Sequence, residues 1–81
     1  MSHHIIVYSK PGCHLCEDAM QSLSRLKKEF GLTIQEIDIT LDHELHKKYF
    51  DKIPVLVIDN HTTVAAPIHI EKVRSALMKA N

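Results

Sequence analysis

Ile5-Ile6-Val7-Tyr8-Ser9-Lys10-Pro11-Gly12-Cys13-His14-Leu15-Cys16 is the stretch on which the reading of this chain turns. The β-branched and aromatic residues over 5–8 read as a strand, and Ser9-Lys10-Pro11-Gly12 is a turn signal. A helix is expected from about Cys13 to Phe30, because Cys16, Ala19, Met20, Leu23, Leu26 and Phe30 recur three or four residues apart on one face. The opposite face carries Glu17, Asp18, Gln21, Arg25, Lys28 and Glu29. Acids crowd the first turn and bases follow, which suits the helix dipole, and Gly31 is placed for a C-cap. Two thiols at this spacing close and open a disulfide with almost no backbone movement. If the first lies at the helix N-terminus, its thiolate is stabilised and becomes a nucleophile.

Working outward, Leu32 to Ile39 reads as a second strand. Its apolar residues Leu32, Ile34, Ile37 and Ile39 slip by one position after Ile34. Either a bulge or a strand covered on both faces accounts for the slip. Thr40 or Asp42 then caps a short helix with Leu41, Leu45 and Tyr49 on one stripe. Val55-Leu56-Val57-Ile58 is a buried strand, Asp59-Asn60 suits a two-residue hairpin, and His61 to Ala65 returns as an edge strand. From Pro67 a last helix packs Ile70, Val73 and Leu77, while Met20 and Met78 read as core gap-fillers. The order β-α-β-α-β-β-α makes the first two strands parallel and the last two antiparallel. The expectation is one domain over 1–81, an α/β sandwich on a four-stranded mixed sheet.

Composition narrows the function. Of 81 residues, 44% are hydrophobic and 25% charged, an ordinary globular balance. Ten basic residues offset ten acidic ones, so no global field favours nucleic acid or an anionic membrane. The apolar run near Met1 is too short for a signal peptide or a membrane span, so the expected compartment is the cytoplasm. In that reducing setting a close cysteine pair is catalytic or metal-binding rather than a staple. A ring closed over four residues also restricts the unfolded chain little.

The metal reading needs more ligands than two cysteines supply. Histidines would have to complete a zinc site, and only His43 and His46 form a spaced pair. For the redox reading, Cys13 at the helix N-cap accepts N–H bonds, including one from Cys16, and its pKa falls below the free value of about 8.5. Lys10 and a protonated His14 lower it further, whereas Glu17 and Asp18 act on Cys16 in the opposite sense. The expected pair is therefore asymmetric, with Cys13 exposed and Cys16 buried. Leu15 is an apolar contact beside the thiols.

The element order, Tyr8-Ser9-Lys10-Pro11-Gly12-Cys13-His14-Leu15-Cys16 and Ile53-Pro54-Val55 together resemble a glutaredoxin. More closely, they resemble the small glutaredoxin-like proteins of the thioredoxin superfamily with a Cys-His-Leu-Cys motif, over residues 4–80. The resemblance implies a thioredoxin-like fold, Cys13 as attacking thiol, Cys16 as resolving thiol and Pro54 as a cis-proline facing them. A cis Ile53–Pro54 bond would free the Ile53 backbone to pair with an extended substrate. Lys10 matches a lysine that helps bind glutathione. The family's Gly-Gly turn and acidic residue, which grip glutathione, are replaced by Val64-Ala65-Ala66-Pro67-Ile68-His69, and its Thr-Val-Pro by Lys52-Ile53-Pro54. The function so implied is a thiol–disulfide oxidoreductase acting on protein or small-molecule disulfides. It would be a monomer with no bound cofactor or metal, recharged by glutathione or a thioredoxin-reductase-type supply. The alternative is a non-catalytic binding module or a metal or iron–sulfur carrier that uses the same cysteines.

Overall fold

Residues 2–79 are described by the computed structural model. Strand β1 (Ser2–Ser9) alternates strictly: His3, Ile5, Val7 and Ser9 are buried, and the residues between them are not. A strand at the centre of a sheet requires this period of two when one face is packed more deeply than the other. After it come helix α1 (His14–Leu26), β2 (Gly31–Asp38), α2 (His43–Tyr49), β3 (Val55–Ile58), β4 (Thr62–Ala65) and α3 (Ile70–Lys79), with a 3-10 turn at Ile39–Leu41. The strands lie in the order β2-β1-β3-β4, with β1 and β2 parallel and the other pairs antiparallel. The mixed sheet and the three helices are those expected from the sequence.

The main core forms where Ile5, Val7, Leu32, Leu56 and Ile58 of the sheet meet Leu23 and Leu26 of α1 and Val73 and Leu77 of α3. Complete burial of such a side chain is worth about 1.5–3 kcal/mol, so this layer dominates the fold's stability. Pairing of β1 with β2 runs unbroken from Ser2↔Gly31 to Ser9↔Asp38, so β2 has no bulge. In this register Leu32 and Ile34 share the core face with His3 and Ile5, while Ile37 lies with Tyr8 on the opposite face. Ile39 is fully buried just beyond. The slip in the pattern thus reflects cover on both faces. On the second face, Tyr49 of α2 stacks on Tyr8 with ring centroids 4.7 Å apart.

Several element ends differ from the sequence reading. Helix α1 stops at Leu26 instead of Phe30, because Lys28 and Glu29 donate to carbonyls only three residues back and tighten the chain. Lys27 is the C-cap and Gly31 opens β2, so Gly31 is not a cap. Phe30 still packs against the core. Asp42, not Thr40, caps α2, accepting from the Glu44 and Leu45 N–H groups. Thr40 is instead tied to Asp38. Leu41 falls in the 3-10 turn ahead of that cap, off the α2 stripe, and is 85% exposed.

Helix α3 begins at Ile70 rather than Pro67, its first turn closed by Lys72 and Val73 N–H groups donating to the His69 carbonyl. Met78, one residue past the buried Leu77, is exposed rather than gap-filling, whereas Met20 does pack on the core. Asp59 and Asn60 both take left-handed backbone (φ 52° and 56°), as a hairpin turn requires. The ladder resumes at Ile58↔Thr62, so the connection has three residues instead of two.

The hairpin also closes one end of the sheet. The His3 Nδ1–H donates to Asp59 Oδ2 at 2.8 Å, and the His4 backbone N–H donates to Asp59 Oδ1 at 2.8 Å. These bonds, the His3 bond foremost, hold the Asp59 carboxyl below the usual aspartate range. The His3 Nε2 atom is buried without a hydrogen-bond partner among the described residues, and the ring stands edge-on to Phe30. Among the described residues, no helix is long and apolar enough to cross a membrane.

Candidate active site

At the other end of β1 the chain leaves the sheet through Lys10, Pro11 and Gly12. Gly12 has φ 76°, a left-handed conformation that side chains disfavour. An added Cβ would meet nothing within 4 Å, so the backbone conformation, not crowding, calls for glycine there. This turn delivers Cys13 to the N-cap of α1 in an extended conformation, φ −92° and ψ 105°. The Cys13 Sγ accepts a hydrogen bond from the Cys16 N–H at 3.2 Å, the bond anticipated from the motif. Cys13 and Cys16 are joined by a disulfide, their Cα atoms 5.2 Å apart. That separation lies inside the range natural disulfides span. Cys13 is half-buried and Cys16 is only 2% exposed, so the pair is asymmetric in access.

The other residues read from the sequence fall around this pair unequally. His14 opens α1 and is exposed. Leu15 is 58% exposed, an unusual place for a large apolar side chain beside a polar helix start. Pro54 is buried and follows a cis bond from Ile53; the Ala66–Pro67 bond is cis as well. The Ile53 N–H, however, donates to the Tyr49 carbonyl at 3.2 Å. It is not free to pair with a substrate strand, because the chain leaving α2 uses it to finish the last turn. Only the Ile53 carbonyl is without a donor among the described residues.

Lys10 lies apart from this arrangement. It shares a depression of about 270 Å³ with Ser9, Glu36 and Asp38, on the β2 side. Glu36 accepts from the Ser9 hydroxyl at 2.8 Å, and Asp38 accepts from Thr40. Lys10 thus faces two carboxylates, which offset its charge.

A second depression is bounded by Leu15, the residue that precedes Cys16 in the chain, although neither sulfur lines it. It is a groove of about 140 Å³, with Leu15, Asp18, Ala19 and Ser22 of α1 on one wall and Pro54, Ala66, Pro67 and Ile68 on the other. The Ala66 N–H donates to the Lys52 carbonyl at 3.4 Å, which ties the two proline segments together. This groove unites Leu15 and Pro54, both named from the sequence. It adds Asp18, Ser22, Pro67 and Ile68, which were not read as site residues. The available signal was the apolar run after β3 ending in a proline, a second copy of the Ile53-Pro54 pattern. A wider depression of about 510 Å³ lies between β4 and α3.

Among the described residues, no three His, Cys, Asp or Glu side chains converge as a metal site would require. His46 stacks on Phe50 instead.

Residues 4–78 match the model of the glutaredoxin-like domain family (DUF836). This chain belongs to that glutaredoxin-like family. It is 39% identical over 66 residues to a glutaredoxin-like protein, the YDR286C homolog of Dictyostelium discoideum. That match covers 72% of this chain and 59% of the relative, so the chain spans under two thirds of its relative's length. Among solved structures it is similar to the structural-genomics protein XcR50 from X. campestris, with TM-score 0.81 and 23% identity over 95% and 99% of the two chains. It is also similar to oxidised thioredoxin O2 from Arabidopsis thaliana, with TM-score 0.74 and 13% identity over 95% and 73%. The fold of this glutaredoxin-like chain is accordingly thioredoxin-like, with a Cys13–Cys16 pair in the disulfide-bonded state.

Proposed function

We propose that this glutaredoxin-like protein is a thiol–disulfide oxidoreductase in which Cys13 attacks and Cys16 resolves. The observation that carries the reading is the placement of the two sulfurs. The Cys13 sulfur is the half-exposed N-cap of α1 and already accepts the Cys16 N–H, whereas Cys16 is buried behind it. In the reduced state, that N–H and the helix N-terminus favour the Cys13 thiolate over the thiol.

The reaction balances without a cofactor. The Cys13 thiolate attacks one sulfur of a substrate disulfide, forming a mixed disulfide and expelling the first substrate thiolate. The Cys16 thiolate then attacks the Cys13 sulfur, closing the Cys13–Cys16 bond and releasing the second. Two electrons pass from the protein to the substrate, and two protons follow from solvent. A cellular thiol reductant, either glutathione or a thioredoxin-reductase-type enzyme, returns the dithiol. The absence of a Gly-Gly turn near Pro67 and the carboxylates beside Lys10 favour the enzyme over direct glutathione capture.

A redox titration of the Cys13–Cys16 pair, with each reductant system offered to the oxidised protein, tests this reading. The expected result is a two-electron couple near the thioredoxin value of roughly −270 mV, with faster recharging by the reductase system. A dithiol that is oxidised or reduced by neither system on a useful timescale would remove the enzymatic reading.

A further inference from the structure

The groove between Leu15 and the two proline segments has a definite size and charge, and both bear on what it accepts. Its volume of about 140 Å³ is well below the roughly 300–1,000 Å³ of sites that enclose whole small molecules. It accommodates one side chain of a larger partner. The walls are apolar, formed by Leu15, Pro54, Pro67 and Ile68, and Leu15 stands 58% exposed at the rim. Among the described residues that line the groove, Asp18 alone carries a formal charge. It makes no ion pair among the described residues, and the adjacent helix-face acid is Glu17. On the other flank, Glu36 and Asp38 outnumber Lys10.

Glutathione is a poor match for these surroundings. It carries two carboxylates, and the described residues lining the groove offer them an acid and no cation. An extended polypeptide with an apolar residue and a basic residue near its cysteine is complementary in both respects. We infer that the groove selects protein disulfides whose flanking segment places an apolar side chain on Leu15, Pro67 and Ile68 and a lysine or arginine at Asp18. Asp18 is then a specificity-determining residue. This inference rests on the proposed exchange reaction and adds the substrate class to it. Because the charge is exposed, the selection is modest and weakens with salt.

Single-turnover exchange tests it. Reduced protein is mixed with two cysteine peptides activated as mixed disulfides with 4-thiopyridine, identical except that one has arginines and the other glutamates around a leucine and the cysteine. The ratio of their rate constants cancels any change in thiol reactivity. The wild-type protein should prefer the arginine peptide. Asp18→Asn should lower the ratio by about threefold, and Asp18→Lys should invert it. Glu44→Lys, the same charge change on α2 across the sheet, should leave it unmoved. Replacing the peptide leucine by glycine should slow both peptides in parallel. A ratio near one, or a ratio shifted equally by Glu44→Lys, would overturn the inference while leaving exchange intact. Failure of the wild-type protein to react even with neutral 4,4′-dithiodipyridine would overturn the reaction on which it rests.

Discussion

The two ends of β1 handle polar groups in opposite ways. At the Ser2 end, the buried His3 ring and the His4 N–H both donate to Asp59, so the polar groups there face one another. Past the Ser9 end, the chain presents a half-exposed sulfur, and nearby an exposed leucine and an aspartate with no ion pair among the described residues line a groove. The first end pairs His3 Nδ1, the His4 N–H and the Asp59 carboxylate with one another, leaving only His3 Nε2 without a partner among the described residues, and serves the fold. The second keeps a half-exposed sulfur and an exposed carboxylate within a partner's reach. Polarity alone therefore does not mark a site; polar and reactive groups that a partner can reach do.

That contrast can be broken from the structural end. His3→Ala removes a part-buried charge-assisted hydrogen bond and a buried ring that packs edge-on to Phe30, so it should cost about 1–3 kcal/mol of unfolding free energy. The exchange rate of the folded protein should not change, because His3 lies at the far end of the strand from Cys13. A change in exchange rate without a loss of stability, read by denaturant unfolding beside single-turnover kinetics, would reverse the roles assigned to the two ends.

A smaller effect sharpens the same contrast through pH. The Asp59 carboxyl is depressed in the folded state, chiefly by the His3 bond. A depressed acid contributes stability above its unfolded pKa, about 3.9 for aspartate, and loses it as pH falls through the lower folded value. Asp59→Asn should therefore be less stable than wild type near neutrality, and the gap should narrow below about pH 4. Asparagine retains the left-handed backbone of the turn but has one accepting oxygen in place of two, so it removes the charge together with one of the two accepted bonds. A gap that widens in acid, read from thermal unfolding across that range, would contradict the sign.

How much of this was legible in the sequence depended on range. The strand–turn–helix around Cys13 was readable because its signals are local: β-branched residues, Pro11-Gly12 and a three-four apolar spacing. The N-cap role of Cys13 followed from the same signals. The end of α1 was misread because Phe30 continues the apolar stripe, although the backbone has already tightened by Lys28. Leu41 was misplaced for a related reason, since a 3-10 turn breaks the helical count that put it beside Leu45. The groove was not legible, because Asp18 and Pro67 are 49 residues apart and meet only through the sheet. Nor was the His3–Asp59 pair, whose two members are brought together solely by β1–β3 pairing.

The assignment of Cys13 as attacking thiol is tested most directly by trapping. Reduced Cys16→Ser and Cys13→Ser variants would be mixed separately with a disulfide-bonded protein substrate, and covalent complexes would be separated without reductant and identified by mass. The account predicts that Cys16→Ser accumulates a mixed disulfide through Cys13, because nothing remains to resolve it, while Cys13→Ser accumulates none. Equal trapping by both variants, or trapping through Cys16 alone, would contradict it.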